Sequence, residues 1–122
     1  MPGFTPEEAK ATLDVRYPTT GGTDFVAYSV NGTSEFAGLA RTAIGATGWA
    51  AATSADPSVK ANANALTSAA ATAAGNVSHY AVFSAVSAGT QRIEWTALDS
   101  ARTVAIGDQL THAPGAIRVT LT

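Results

Sequence analysis

His79 and His112 are the residues best suited to acid–base or metal chemistry in this chain of 122 residues. An imidazole titrates near neutrality and ligates metals, but it needs partners to make a site. Asp99, Asp108 and several serines supply the residue types of a hydrolytic triad. The flanking sequence supplies neither a nucleophile elbow nor a glycine pattern for an oxyanion hole. Two histidines far apart in sequence, without cysteine or an H-x-x-x-H spacing, do not make a metal shell. No glycine-rich loop opens a helix, because Gly21-Gly22 leads into a strand, so no phosphate cradle is expected. The expectation is a non-enzyme with no catalytic residue, no cofactor and no metal.

Tyr28, Tyr80, Trp49 and Trp95 are the ring residues able to stack on a sugar or a base, with core packing as the competing role. Asn31-Gly32-Thr33 and Asn76-Val77-Ser78 match the glycosylation triplet, but the first reads better as a turn.

Composition narrows the class further. The chain is 46% hydrophobic, 13% charged and 7% aromatic, with a net charge of -2 and no cysteine. Ala and Thr dominate, so its apolar content is mostly methyl groups. No basic run is present to release counterions from a nucleic acid. No apolar stretch is long enough to span a membrane as a helix. Glu7 and Glu8 stand where a secretory signal would carry apolar residues, so none is expected. Disulfides and thiolate chemistry are excluded.

The elements that would position any site follow from local signals. Thr5-Pro6-Glu7-Glu8 predicts a helix start: Thr5 caps, Pro6 suits the first helical position, and Glu8 completes a capping box. The helix runs through Leu13 and Arg16 and ends before Pro18 and Gly21-Gly22. Its apolar face is thin (Ala9, Leu13, Tyr17), so it must dock on its own domain or on a partner.

From Asp24 onward the pattern is that of strands. Phe25 to Val30 is rich in β-formers and stops at Asn31-Gly32, a hairpin-turn dipeptide. A second extended segment is expected from Phe36 to Ile44. Residues 45–75 carry no clear periodicity; Ala69–Ala74 favours helix by propensity alone, yet the stretch reads as extended or looped. Strands are expected at His79–Val86, Gln91–Leu98, Arg102–Ile106, Leu110–His112 and Ile117–Leu121. In Gln91–Leu98, alternation places Ile93, Trp95 and Ala97 inward and Arg92, Glu94 and Thr96 outward. Ala113-Pro114-Gly115-Ala116 fits a type II turn. The predicted fold is all-β: an antiparallel β-sandwich or barrel-like domain with a short N-terminal α-helix. Residues 1–22 form an arm or helix and 23–122 the β-sandwich domain.

The run Val77-Ser78-His79-Tyr80-Ala81-Val82-Phe83-Ser84-Ala85 resembles a "V-T-H-x-x-x-F-D-A" segment of small virion proteins encoded by tailed phages. The resemblance continues through Gly89, Trp95-Thr96-Ala97-Leu98, Arg102 to Gly107-Asp108, and Gly115 to Leu121. Ala61 to Leu66 and Arg41-Thr42-Ala43 are similar to weaker segments of that family. The sequence departs in two ways. Ala74-Gly75-Asn76 stands where the family carries Trp-Gly, and a helix precedes the first strand.

The resemblance implies a structural protein of the phage particle, located on the virion and made in the host bacterial cytoplasm. The leading expectation is a capsid decoration, or minor capsid, protein that cements the major capsid protein lattice as many repeated copies or a homo-oligomer. A tail or tail-fibre component is the alternative, and a carbohydrate-binding β-sandwich using Trp49 or Trp95 is the second alternative. Neither nucleic acid nor membrane is an expected partner. The residues expected to touch a partner are Pro6, Glu7, Lys10, Leu13, Arg16 and Tyr17.

Overall fold

A computed structural model describes residues 5–20, 23–45, 48–55 and 57–121. Gly21-Gly22, Asp56 and the side chain of Leu121 lie outside the described part. One helix, α1 (Pro6–Arg16), is followed by eight strands among the described residues: β1 (Phe25–Ser29), β2 (Thr42–Ala43), β3 (Ser58–Ala61), β4 (Leu66–Thr67), β5 (Gly75–Phe83), β6 (Gln91–Val104), β7 (Thr111–His112) and β8 (Arg118–Leu121). The strands form a four-stranded sheet in the order β2-β1-β5-β6 and two-stranded pairs β3-β8 and β4-β7. These sheets do not close into a barrel. Contacts divide the chain into two compact units. The first is drawn from 1–22, 44–65 and 112–122, and the second from 23–43 and 66–111.

In the first unit the helix starts as its sequence dictates. The Thr5 hydroxyl accepts from the Glu8 amide at 3.3 Å, Pro6 opens the helix, and Glu7 and Glu8 lie at its positive end. The Tyr17 amide closes the last turn onto the Leu13 carbonyl at 2.8 Å. Ala9, Leu13 and Tyr17 are buried, and the helix packs on β3 and β8. Strands β3 and β8 pair antiparallel, with Lys60 opposite Val119. The Tyr17 and Trp49 rings meet at 5.3 Å, tilted by 54°.

The interior of this unit is unusually polar. On β3 it is Ser58 and Lys60 that are buried, while Val59 is half-buried. Asn62 is buried as well, and its side chain holds the C-terminal turn. It donates to the Asn64 and Ala113 carbonyls at 2.8 and 3.0 Å and accepts from the Ile117 amide at 2.9 Å. The turn at Pro114-Gly115 forms as predicted: Gly115 has φ 85°, and the Ala116 amide donates to the Ala113 carbonyl at 3.0 Å.

The second unit is built by regular strand pairing. β1 and β5 run antiparallel over five residue pairs, from Phe25–Phe83 to Ser29–His79. Their side chains Val26, Ala27, Tyr28, Tyr80, Ala81 and Val82 are buried. The Tyr28 phenol hydrogen-bonds to the Thr42 hydroxyl at 2.6 Å. Burial pushes the phenol up to about 12, although that bond pulls the other way.

Four expectations change in this unit. Asn31-Gly32 does not close a two-residue hairpin. The Asn31 side chain instead accepts from the Thr33 and Ser34 amides at 2.9 and 3.0 Å, a side-chain-built loop. Of Phe36–Ile44, only Thr42–Ala43 pairs as a strand. The two strands expected at Gln91–Leu98 and Arg102–Ile106 are one strand, β6. Ala97 is exposed and Trp95 half-buried, so the predicted inward face of β6 holds only at Ile93. The stretch Ala69–Ala74 is not helical, in keeping with the looped reading.

Candidate functional site

The second unit carries an open groove of about 500 Å³. It is lined by Gly32, Gln91, Arg92, Glu94 and Trp95. Four of these residues are two pairs of sequence neighbours. A regular strand sends neighbours to opposite faces, so this lining needs a cause. Register supplies it: Phe83 pairs with Gln91, Val82 with Ile93 and Tyr80 with Thr96. Each of the two steps gives β6 one residue more than β5. These are β-bulges, which re-aim side chains locally. They turn Gln91, Arg92, Glu94 and Trp95 to the groove while Ile93, between them, stays buried.

Each lining residue has a defined neighbour. Arg92 Nε lies 3.0 Å from the carboxylate of buried Asp24, which compensates its charge. Gln91 donates to the Ile93 carbonyl at 3.1 Å. The Trp95 ring packs on Phe83 at 6.1 Å, tilted by 56°. Phe83 lies 4.0 Å beneath the Arg41 guanidinium. Arg41 also grips Glu35 through two bonds of 2.9 Å and donates to the Ala85 and Ala88 carbonyls, fixing the loop that leads into β6. Gly32 has φ 77°, which disfavours any other residue, and a Cβ there would press on the His79 ring at 3.0 Å. The Glu94 carboxylate bonds no described residue; Glu94 accepts only through its main-chain carbonyl, from Thr96.

The histidines do not assemble a reaction centre. His79 Nδ1 lies 2.7 Å from its neighbour's hydroxyl, Ser78 Oγ. His112 is buried and belongs to the other unit. Asp108 caps a turn by accepting from the Ala105 amide at 2.8 Å. Among the described residues, no three His, Asp or Glu side chains converge as metal ligands, and no helix is long and apolar enough to cross a membrane.

The residues expected to touch a partner divide by burial. Leu13 and Tyr17 are buried in the first unit's own packing. Lys10 is half-buried and donates to Asp14 at 2.7 Å. Pro6 is half-buried, and only Glu7 and Arg16 of the set are exposed.

Asp14 is the residue that this reading of the helix missed. Its Oδ1 accepts from Lys60, which is 0% exposed, at 2.7 Å, and also from the Ala52 amide at 2.9 Å. Burial alone raises the Asp14 pKa. The bonds from Lys10, Lys60 and Ala52 and the Lys60 charge outweigh it and hold the carboxyl well below the usual carboxylate range. Nothing in the sequence pairs Asp14 with a lysine 46 residues later.

These features define an antiparallel β-sheet protein with one short helix. Residues 8–120 match the model of a family described as podophage GP4 fiber I protein gp80, and the chain belongs to that family. It is thus a structural protein of the tailed-phage virion. No curated protein matches the chain.

Proposed function

We propose that this chain is a structural component of the tail fibre, acting through contact rather than catalysis. The observation that carries the proposal is the match of residues 8–120 to a family described as a fiber protein. It favours the tail-fibre reading over capsid decoration. The partners on this reading are neighbouring subunits of the fibre, copies of this chain among them. The chain carries few charges, and several of them are paired internally, as in Arg41–Glu35, Arg92–Asp24 and Lys60–Asp14.

Location and copy number test the proposal together. Purified particles are labelled with an antibody to this chain and imaged, and its copies are counted by quantitative mass spectrometry. Label at the tail, with far fewer copies than the major capsid protein, is expected. Label spread over the head, at a copy number comparable to the capsid protein, would restore the decoration reading and overturn this one.

A further inference from the structure

We propose that the groove at the start of β6 binds a neutral pyranose glycan, with Trp95 as its stacking platform and Glu94 and Gln91 as its polar contacts. The inference concerns the isolated chain and stands apart from the fibre assignment.

Three observations carry it. First, the groove depends on two bulges within the six residues Gln91–Thr96, each of which gives up regular ladder pairing. Together they bring an indole, a carboxylate, an amide and a guanidinium to one place. Second, the groups facing it have unused hydrogen-bonding capacity. Neither the Glu94 carboxylate nor the Trp95 indole N–H bonds a described residue, and the Gln91 amide oxygen remains as an acceptor beside its donating nitrogen. An indole offers a flat apolar face to the C–H side of a sugar ring, while the carboxylate and amide accept from its hydroxyls.

Third, charge selects the ligand class. Arg92 is neutralised by Asp24, so the groove lacks an open cation for a phosphate or an acidic sugar. The free Glu94 carboxylate would repel an anion and would be left without a partner beneath a purely apolar ligand. A quaternary ammonium group favours a cage of several aromatic faces, whereas among the described residues Trp95 is the one aromatic ring lining this groove. A neutral polyol satisfies the carboxylate, the amide and the indole together.

The test uses the full chain. Oligomers of glucose, galactose, mannose and N-acetylglucosamine are titrated, with sialyllactose and choline as charged comparators. Binding is followed by calorimetry and tryptophan emission. Trp49 is only 2% exposed, so a change in emission reports Trp95. Saturable binding of a neutral oligomer is expected, weakened about tenfold in Trp95→Ala and by a smaller factor in Glu94→Gln. Glu94 is exposed, so Glu94→Gln keeps a folded variant in the comparison should Trp95→Ala unfold. Three results would overturn the proposal: no neutral oligomer binds, binding is unchanged in Glu94→Gln and in folded Trp95→Ala, or sialyllactose or choline binds more tightly.

Discussion

Helix α1 and the groove at the start of β6 both gather polar side chains, but to opposite ends. On α1, Asp14 is engaged by three donors of its own unit, Lys10, Lys60 and the Ala52 amide. At the groove, the Glu94 carboxylate and the Trp95 N–H face outward without a partner among the described residues. A polar group committed to buried neighbours contributes to folding, and removing its partner leaves a costly orphan. A polar group left in a concave, partly apolar place is free to bind.

The sharpest way to break that comparison is at Asn62, which anchors the same unit as α1. Asn62→Ala should cost about 3 kcal/mol, because a buried side chain loses three hydrogen bonds and leaves the buried Ile117 amide without its acceptor. Urea denaturation measures it. A change no larger than that of an ordinary surface substitution would mean that the polar interior of the first unit matters little.

Acid provides the next test. The Asp14 pKa is depressed in the fold, so its stabilising effect is complete above its ordinary value of 3.8 and is lost as pH falls toward the depressed folded value. Stability should therefore fall below about pH 4, and an Asp14→Asn variant should show a flatter acid limb. Equal limbs would show that the ion pair with Lys60 contributes nothing. Tyr28 gives the counterpart in the second unit: its raised pKa means that stability is complete below pH 10 and is lost as pH rises through about 12. Tyr28→Phe should flatten that alkaline limb.

The smallest expected effect is at the groove. Glu94→Gln should leave stability within about 0.5 kcal/mol, as an exposed substitution without partners does. A larger loss would mean that Glu94 supports the fold, and the contrast with Asp14 would fail.

Much of the architecture was readable from local chemistry. Thr5-Pro6-Glu7-Glu8 marked the helix start, and Pro114-Gly115 marked the last turn, because caps and turns are set by a few adjacent residues. The strand at Phe25 was legible for the same reason: β-formers end at a turn residue. Residues 45–75 were not legible, since their conformation depends on Lys60 and Asn62 meeting Asp14 and Ile117 from distant parts of the chain. Buried polar hubs leave no periodic trace. The groove was missed because alternation assumes an unbulged strand. Bulges moved Trp95 from the predicted inward face to the side of Arg92 and Glu94, and they brought in Gln91, which no pattern had singled out.

Amide hydrogen exchange in an Asp14→Ala variant tests most directly whether α1 belongs to the fold. With Lys60 left buried and unpaired, and with some relief because Asp14 keeps part of its surface in water, the loss should be about 2 kcal/mol. Protection at Ala50, Asn62 and Ile117 should fall markedly, while amides of β1 and β5 are affected less. Unchanged protection at those three amides would contradict the account and return α1 to the role of a detachable contact arm.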